Sequence, residues 1–115
     1  MLEYDKIEFI NSFDLVSKIV RKNAKEKGWG LEERNEIESI ALIHSKLSEA
    51  LEALRYGNPP DDKIPKFSGV EIELADTIIR IMDYAQSKNY NISEAIIAKI
   101  EFNEKREYKH KGKKF

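Results

Sequence analysis

The sequence predicts an all-α fold, a four-helix bundle completed by oligomerisation, and three observations point there. Apolar residues recur at steps of three and four along four separate stretches, which is the helical period. Only five glycines and three prolines occur among 115 residues, and the abundant Glu, Lys, Leu, Ile and Ala favour helix over a turn-rich β fold. The third stretch is apolar around most of its circumference, the pattern of a helix packed on several sides or at a subunit contact.

The first helix is expected from about Tyr4 to Lys27, with Ile7, Ile10, Leu15, Ile19 and Val20 forming an imperfect stripe before Gly28-Trp29-Gly30. The second runs from about Leu31 to Tyr56, where Ile37, Ile40, Ala41, His44, Leu47, Leu51 and Leu54 keep the period and Gly57 supplies the stop. His44 on that face reads as a hydrogen-bonded core histidine rather than a ligand. The segment Asn58 to Phe67 holds three prolines and two adjacent aspartates and reads as an exposed, mobile loop. The third helix is expected from Ser68 to about Lys88, its polar residues Glu73, Asp76, Arg80 and Asp83 forming one narrow stripe. Ser93 is expected to cap a fourth helix that carries Glu94 in its first turn and runs to about Tyr108. Residues 1–115 read as one domain whose end, 108–115, is a flexible basic tail.

Bulk properties narrow the function. A net charge of −1 argues against nonspecific attraction to nucleic acid or to an anionic membrane. The chain has no cysteine, hence no disulfide framework, zinc-thiolate site or thiol nucleophile. The start Met1-Leu2-Glu3-Tyr4-Asp5 does not read as a signal peptide, and no run approaches the ~18–20 apolar residues that span a bilayer. A cytoplasmic protein is expected, and Asn91-Ile92-Ser93 is read as a helix start rather than a glycosylation acceptor.

Four carboxylates carry the chemistry. Glu49/Glu52 and Glu73/Asp76 are two pairs, each spaced by three residues and so on one helix face. The 20 residues between Glu52 and Glu73 include Gly57-Asn58-Pro59-Pro60, able to turn the chain back and bring the pairs together. Such a cluster repels itself unless a cation fills it, and a hard divalent ion such as Mg²⁺ suits oxygen donors. Pairing of the acids with basic side chains is the alternative.

Lys99, Asn103 and Arg106, at steps of four and three, form a second constellation on the fourth helix. With Lys109, Lys113 and Lys114 they suit phosphate oxygens, although cations near a helix C-terminus also offset its dipole. Trp29 either covers the core between the first two helices or stacks on a base. Glu107 and His110 spell a di-iron-type Glu-x-x-His only once. Lys111-Gly112-Lys113-Lys114 lacks the first glycine of a phosphate loop, and two histidines in this layout support no Ser/His/Asp triad.

The run Ala41-Leu42-Ile43-His44-Ser45-Lys46-Leu47-Ser48-Glu49-Ala50-Leu51-Glu52-Ala53-Leu54-Arg55, then Glu73-Leu74-Ala75-Asp76 with Ile79, Arg80 and Asp83, resembles the MazG-like all-α nucleoside triphosphate pyrophosphohydrolases. Gly28-Trp29 and the tail Lys99, Asn103, Arg106, His110 and Gly112-Lys113-Lys114-Phe115 extend the resemblance over roughly residues 27–115. The family pattern is Glu-x-x-Glu, a loop, then Glu-x-x-Asp. In the best register its first pair falls on positions 46 and 49, so Lys46 stands in the place of the leading glutamate and Glu52 is an additional acid.

The resemblance implies Mg²⁺-dependent (or Mn²⁺-dependent) cleavage of a (d)NTP to a (d)NMP and pyrophosphate. It implies metal held by Glu49, Glu52, Glu73 and Asp76, with Glu49 catalytic. Substrate would meet Lys46, Arg80, Lys99, Asn103, Arg106 and Trp29, in a homodimer or homotetramer. A non-catalytic nucleotide-binding or regulatory homo-oligomer, inactivated by Lys46, is the alternative.

Overall fold

The structure, a computed structural model, describes residues 1–29 and 35–106. Its elements are α1 (Glu3–Glu26), α2 (Glu36–Arg55), α3 (Gly69–Lys88) and α4 (Ile92–Glu104). The fold is all-α: among the described residues the only β pairing is an isolated bridge between Pro60 and Ser68. No helix among them is long and apolar enough to cross a membrane. The expected second-helix residues Leu31 to Arg34, and the tail residues Glu107, Tyr108, Lys109, His110, Lys113 and Lys114, lie outside the described residues.

The chain forms two compact units, Ser17–Tyr90 and Met1–Val16 together with the segment from Asn91 onward; α1 contributes to both. In the first unit the helix ends obey local signals. Gly28 at φ +82° and Gly57 at φ +81° close α1 and α2 in the left-handed region that glycine adopts without a Cβ clash. Ser68 caps α3: its hydroxyl accepts from the Glu71 amide while the Glu71 carboxylate accepts from the Ser68 amide, a reciprocal capping box.

α2 and α3 pack antiparallel, as their contacts run in opposite order. At one end a Cβ on Gly69 would lie 3.1 Å from the Cβ of Ala53, so the first turn of α3 approaches the end of α2 closely. At the other end the Tyr84 hydroxyl donates to Glu36 Oε1 at 2.7 Å and the Tyr90 hydroxyl donates to the same oxygen. These bonds lower the Glu36 carboxyl below its ordinary value, Tyr90 first and Tyr84 second. The intervening loop is exposed, as expected, and tied internally: the Val70 amide donates to Asn58 Oδ1 at 2.9 Å and the Gly69 amide to the Pro59 carbonyl at 2.8 Å.

The stripe expected on α2, Ile37, Ile40, Ala41, His44, Leu47, Leu51 and Leu54, is exposed throughout, and α2 instead turns Leu42, Ile43, Lys46, Ala50 and Ala53 to its less accessible side. Small residues such as Ala24, Ala50 and Ala85, with Met82 and Ile97, are the buried apolar residues. Ile7, Leu15 and Ile19 of α1, Leu47, Leu51 and Leu54 of α2, and Ile78 and Ile79 of α3 are exposed. His44 and Trp29 are exposed as well, Trp29 at 67%, so neither takes the core position read from the sequence.

In the second unit Asn91, rather than Ser93, caps α4, its side chain accepting from the Glu94 amide. Ser93 is completely buried inside the helix, where its hydroxyl donates to Asp14 Oδ1 at 2.8 Å. Lys6 Nζ also meets Glu101 at 2.6 Å, tying α1 to α4. Replacing Ser93 by Ala removes the donor to Asp14 and is expected to lower unfolding stability by about 1 kcal/mol. Urea denaturation of wild type and Ser93→Ala checks this; coincident midpoints contradict it.

Candidate functional site

The capping box fixes the start of α3, and the three-residue step then sets Glu73 and Asp76 on one face of it. The antiparallel partner α2 presents Lys46 and Glu49, again one turn apart. Lys46 Nζ bridges the two helices, 2.9 Å from Glu49 Oε2 and 3.2 Å from Asp76 Oδ2. Arg80 extends the row, its Nε 3.8 Å from Asp76 Oδ2. One turn further, Arg21 Nη1 of α1 lies 3.1 Å from Asp83 Oδ1.

Glu73 and Glu49 face one another from α3 and α2 and perturb each other's acidity in opposite directions. The bond to Glu49, burial and the Glu49 charge together push the Glu73 carboxyl up to about 7. Glu49 moves the other way, lowered by the hydrogen bond from Glu73 and then by Lys46. Lys46 is held above the usual lysine value chiefly by its bond to Glu49, with Asp76 adding to it and burial opposing it. Two adjacent carboxyls that cannot both ionise cheaply are the physical origin of this split, and the pair titrates as a unit.

Two polar atoms here are buried without a hydrogen-bond partner, Glu73 Oε2 and Arg80 Nε. An orphaned acceptor and an orphaned donor mark a site whose polar potential is not used up within this chain. The carboxylate oxygens are donors of the chemical class that hard divalent cations take. Among the described residues no group of three or more acidic or histidine side chains is arranged to hold a metal ion. The cation that engages Glu49 and Asp76 is the Lys46 ammonium.

The remaining expected site residues fall elsewhere. Glu52 is exposed, 3.8 Å from Arg55 Nη1 on its own helix. Lys99 Nζ sits over the Phe102 ring, 4.9 Å from its centroid, and Asn103 is exposed. Arg106 does not share their helical face: α4 ends at Glu104, Lys105 caps it, and Arg106 lies past the cap. Trp29 is solvent-facing in the α1 C-terminal turn, its amide donating to the Ala24 carbonyl at 2.8 Å. The Arg21–Asp83 pair, 62 residues apart in sequence, left no local signal. Compared with protein-family models, curated proteins and solved structures, the chain matches none.

Proposed function

We propose that the chain is a Mg²⁺-dependent nucleoside triphosphate pyrophosphohydrolase of the MazG-like kind, acting in the cytoplasm as a homodimer or homotetramer. The observation that carries this is the convergence of Glu49, Glu73 and Asp76 from two antiparallel helices, with one Glu73 oxygen buried and unpaired. The exposed apolar residues on α2 and α3 support association with further copies.

In this reading Glu49, Glu73 and Asp76 would hold Mg²⁺ (or Mn²⁺), with Glu52 contributing through water. The ion supplies charge neutralisation of the phosphates and a lowered pKa for a bound water. Lys46 swings from Glu49 and Asp76 toward a substrate phosphate, and Arg80 turns its free Nε–H the same way. With the ion bound the Glu49–Glu73 pair would have given up its proton, and Glu49 would accept the proton of water as its oxygen attacks the α-phosphorus. The bond from that phosphorus to the bridging oxygen breaks and pyrophosphate departs. Lys99, Asn103 and Arg106 steady the triphosphate, and Trp29 offers a ring to the base.

Incubating the pure chain with a panel of NTPs and dNTPs and Mg²⁺ is expected to release pyrophosphate and a nucleoside monophosphate. Glu49→Gln is expected to cut that rate by at least ~100-fold. Absence of pyrophosphate from every nucleotide under varied metals sinks the catalytic reading.

A second reading rests on the Lys46 bridge itself. An ammonium within 2.9 Å of Glu49 and 3.2 Å of Asp76 already supplies the cation that the acids need. The chain is then a non-catalytic nucleotide-binding or regulatory homo-oligomer. Calorimetry with a nonhydrolysable triphosphate separates the two, since binding without turnover selects this one.

A further inference from the structure

A cavity of about 300 Å³ in the Ser17–Tyr90 unit is lined by Lys18, Arg21, Lys22, Lys25 and Glu26 of α1 with Gln86 of α3. It shares no residue with the acid cluster. Its lining carries four cations and one carboxylate, and with Asp83 paired to Arg21 beside it a local surplus of positive charge remains in a chain whose net charge is −1.

Lys18, Lys22 and Lys25 follow one another at steps of four and three, so they stack along one helix face, and Arg21 lies one turn from both Lys18 and Lys25. Like charges at these spacings repel by a few tenths of a kcal/mol each, and little inside the chain relieves them. Asp83 takes one N–H of Arg21 at 3.1 Å and Glu26 approaches Lys22 only to 4.0 Å. Lys18 and Lys25 have no ion-pair partner among the described residues. Offsetting the helix dipole accounts for Lys25 in the last turn of α1 but not for Lys18 and Arg21, which lie further upstream.

Asp83 also fixes the guanidinium in place while leaving its remaining donors open. A planar fork held by a carboxylate, flanked by two exposed lysines, has the charge and the donor types that phosphate oxygens take. From Lys18 to Lys25 the helix rises roughly 10 Å, more than one phosphate needs. The volume is at the small end of ligand sites, and no aromatic ring lines it on which a base stacks.

We propose that this cavity binds a short chain of linked phosphates, either free or as the phosphate tail of a nucleotide. The site is independent of the hydrolytic reading, because none of its residues belongs to the acid cluster.

Titration calorimetry of the full chain in EDTA tests it, with pyrophosphate, ADP, inorganic phosphate and a short DNA duplex as probes. Pyrophosphate is expected to bind, and Lys18→Gln/Lys25→Gln, two exposed positions, to weaken it at least tenfold. ADP as tight as pyrophosphate identifies a nucleotide tail as the source, and pyrophosphate alone identifies the free anion. Glu49→Gln is expected to keep this binding while losing turnover, so the two readings fail separately. Undiminished binding in the double variant overturns the proposal. So does a wild-type chain that ignores pyrophosphate, binds inorganic phosphate equally well, or prefers the duplex.

Discussion

Lys46→Glu is expected to raise Mg²⁺ affinity and pyrophosphate release together, each by at least tenfold. The substitution changes the charge between Glu49 and Asp76 by two units. It frees two carboxylates now held at 2.9 Å and 3.2 Å and adds a third oxygen ligand beside them. The gross attraction of a unit charge pair at such distances is roughly 5 kcal/mol at an effective dielectric of 20. Glu49 is half exposed, so the net worth of its pair with Lys46 is nearer the ~1 kcal/mol of partly solvated ion pairs. The loss is therefore modest in the metal-free protein and is reversed by the ion. Thermal unfolding reads this without reference to activity: in EDTA the variant melts below wild type, and saturating Mg²⁺ raises it by more than it raises wild type. Lys46→Met separates the two contributions, since it removes the ammonium and adds no ligand. It is expected to fall between wild type and Lys46→Glu in Mg²⁺ affinity. If affinity and activity are both unmoved in Lys46→Glu, position 46 stands outside the site, and Glu49 with Glu52 is the first acidic pair.

What the sequence disclosed follows from the range of the interactions involved. Helix termini set by one residue's backbone or hydroxyl, such as Gly28, Gly57 and Ser68, were legible because their causes are local. Ser93 and Asn91 both suit a cap, and which one serves depended on Asp14, 79 residues from Ser93, which draws the serine hydroxyl inward. The end of α4 was misplaced because no glycine or proline marks it, and with that end went the shared face of Lys99, Asn103 and Arg106. The acidic spacings anticipated Glu49 beside Glu73 and Asp76 but also Glu52, which instead lies 3.8 Å from Arg55 on its own helix. They did not foretell that Lys46 would reach across to Asp76, since a position in a motif says nothing of where a flexible four-carbon chain ends. Periodicity likewise reports that Leu51 and Ile78 lie on apolar faces, while both are exposed, because a period names a face and not whether a neighbouring element packs on it.

Metal-free stability is expected to fall as pH rises from 5 to 8, and Glu73 is the cause. Its carboxyl titrates at about 7 in the folded chain, against about 4.5 for an unfolded glutamate. A group raised on folding contributes stability that is fully present below the unfolded value and is lost as pH climbs through the folded one. Glu49 works in the opposite sense, its lowered carboxyl adding stability above about 4.5 and losing it only in more acidic solution. Between pH 5 and 8 the Glu73 contribution therefore governs. Direct conversion of its shift gives roughly 3 kcal/mol, and contact with solvent reduces this to about 2 kcal/mol. Glu73→Gln keeps the neutral hydrogen-bonding shape at every pH, so its urea midpoint is expected to stay flat over this range and to exceed wild type at pH 8. Parallel slopes for the two proteins would remove Glu73 as the origin. The same linkage fixes how a cation behaves at this site. Above pH 7 the ionised Glu73 stands unneutralised beside Glu49, so the stabilisation gained from a given Mg²⁺ concentration is expected to grow from pH 6 to pH 8 in wild type. In Glu73→Gln that growth is expected to vanish, because the amide has no proton to release when the ion binds.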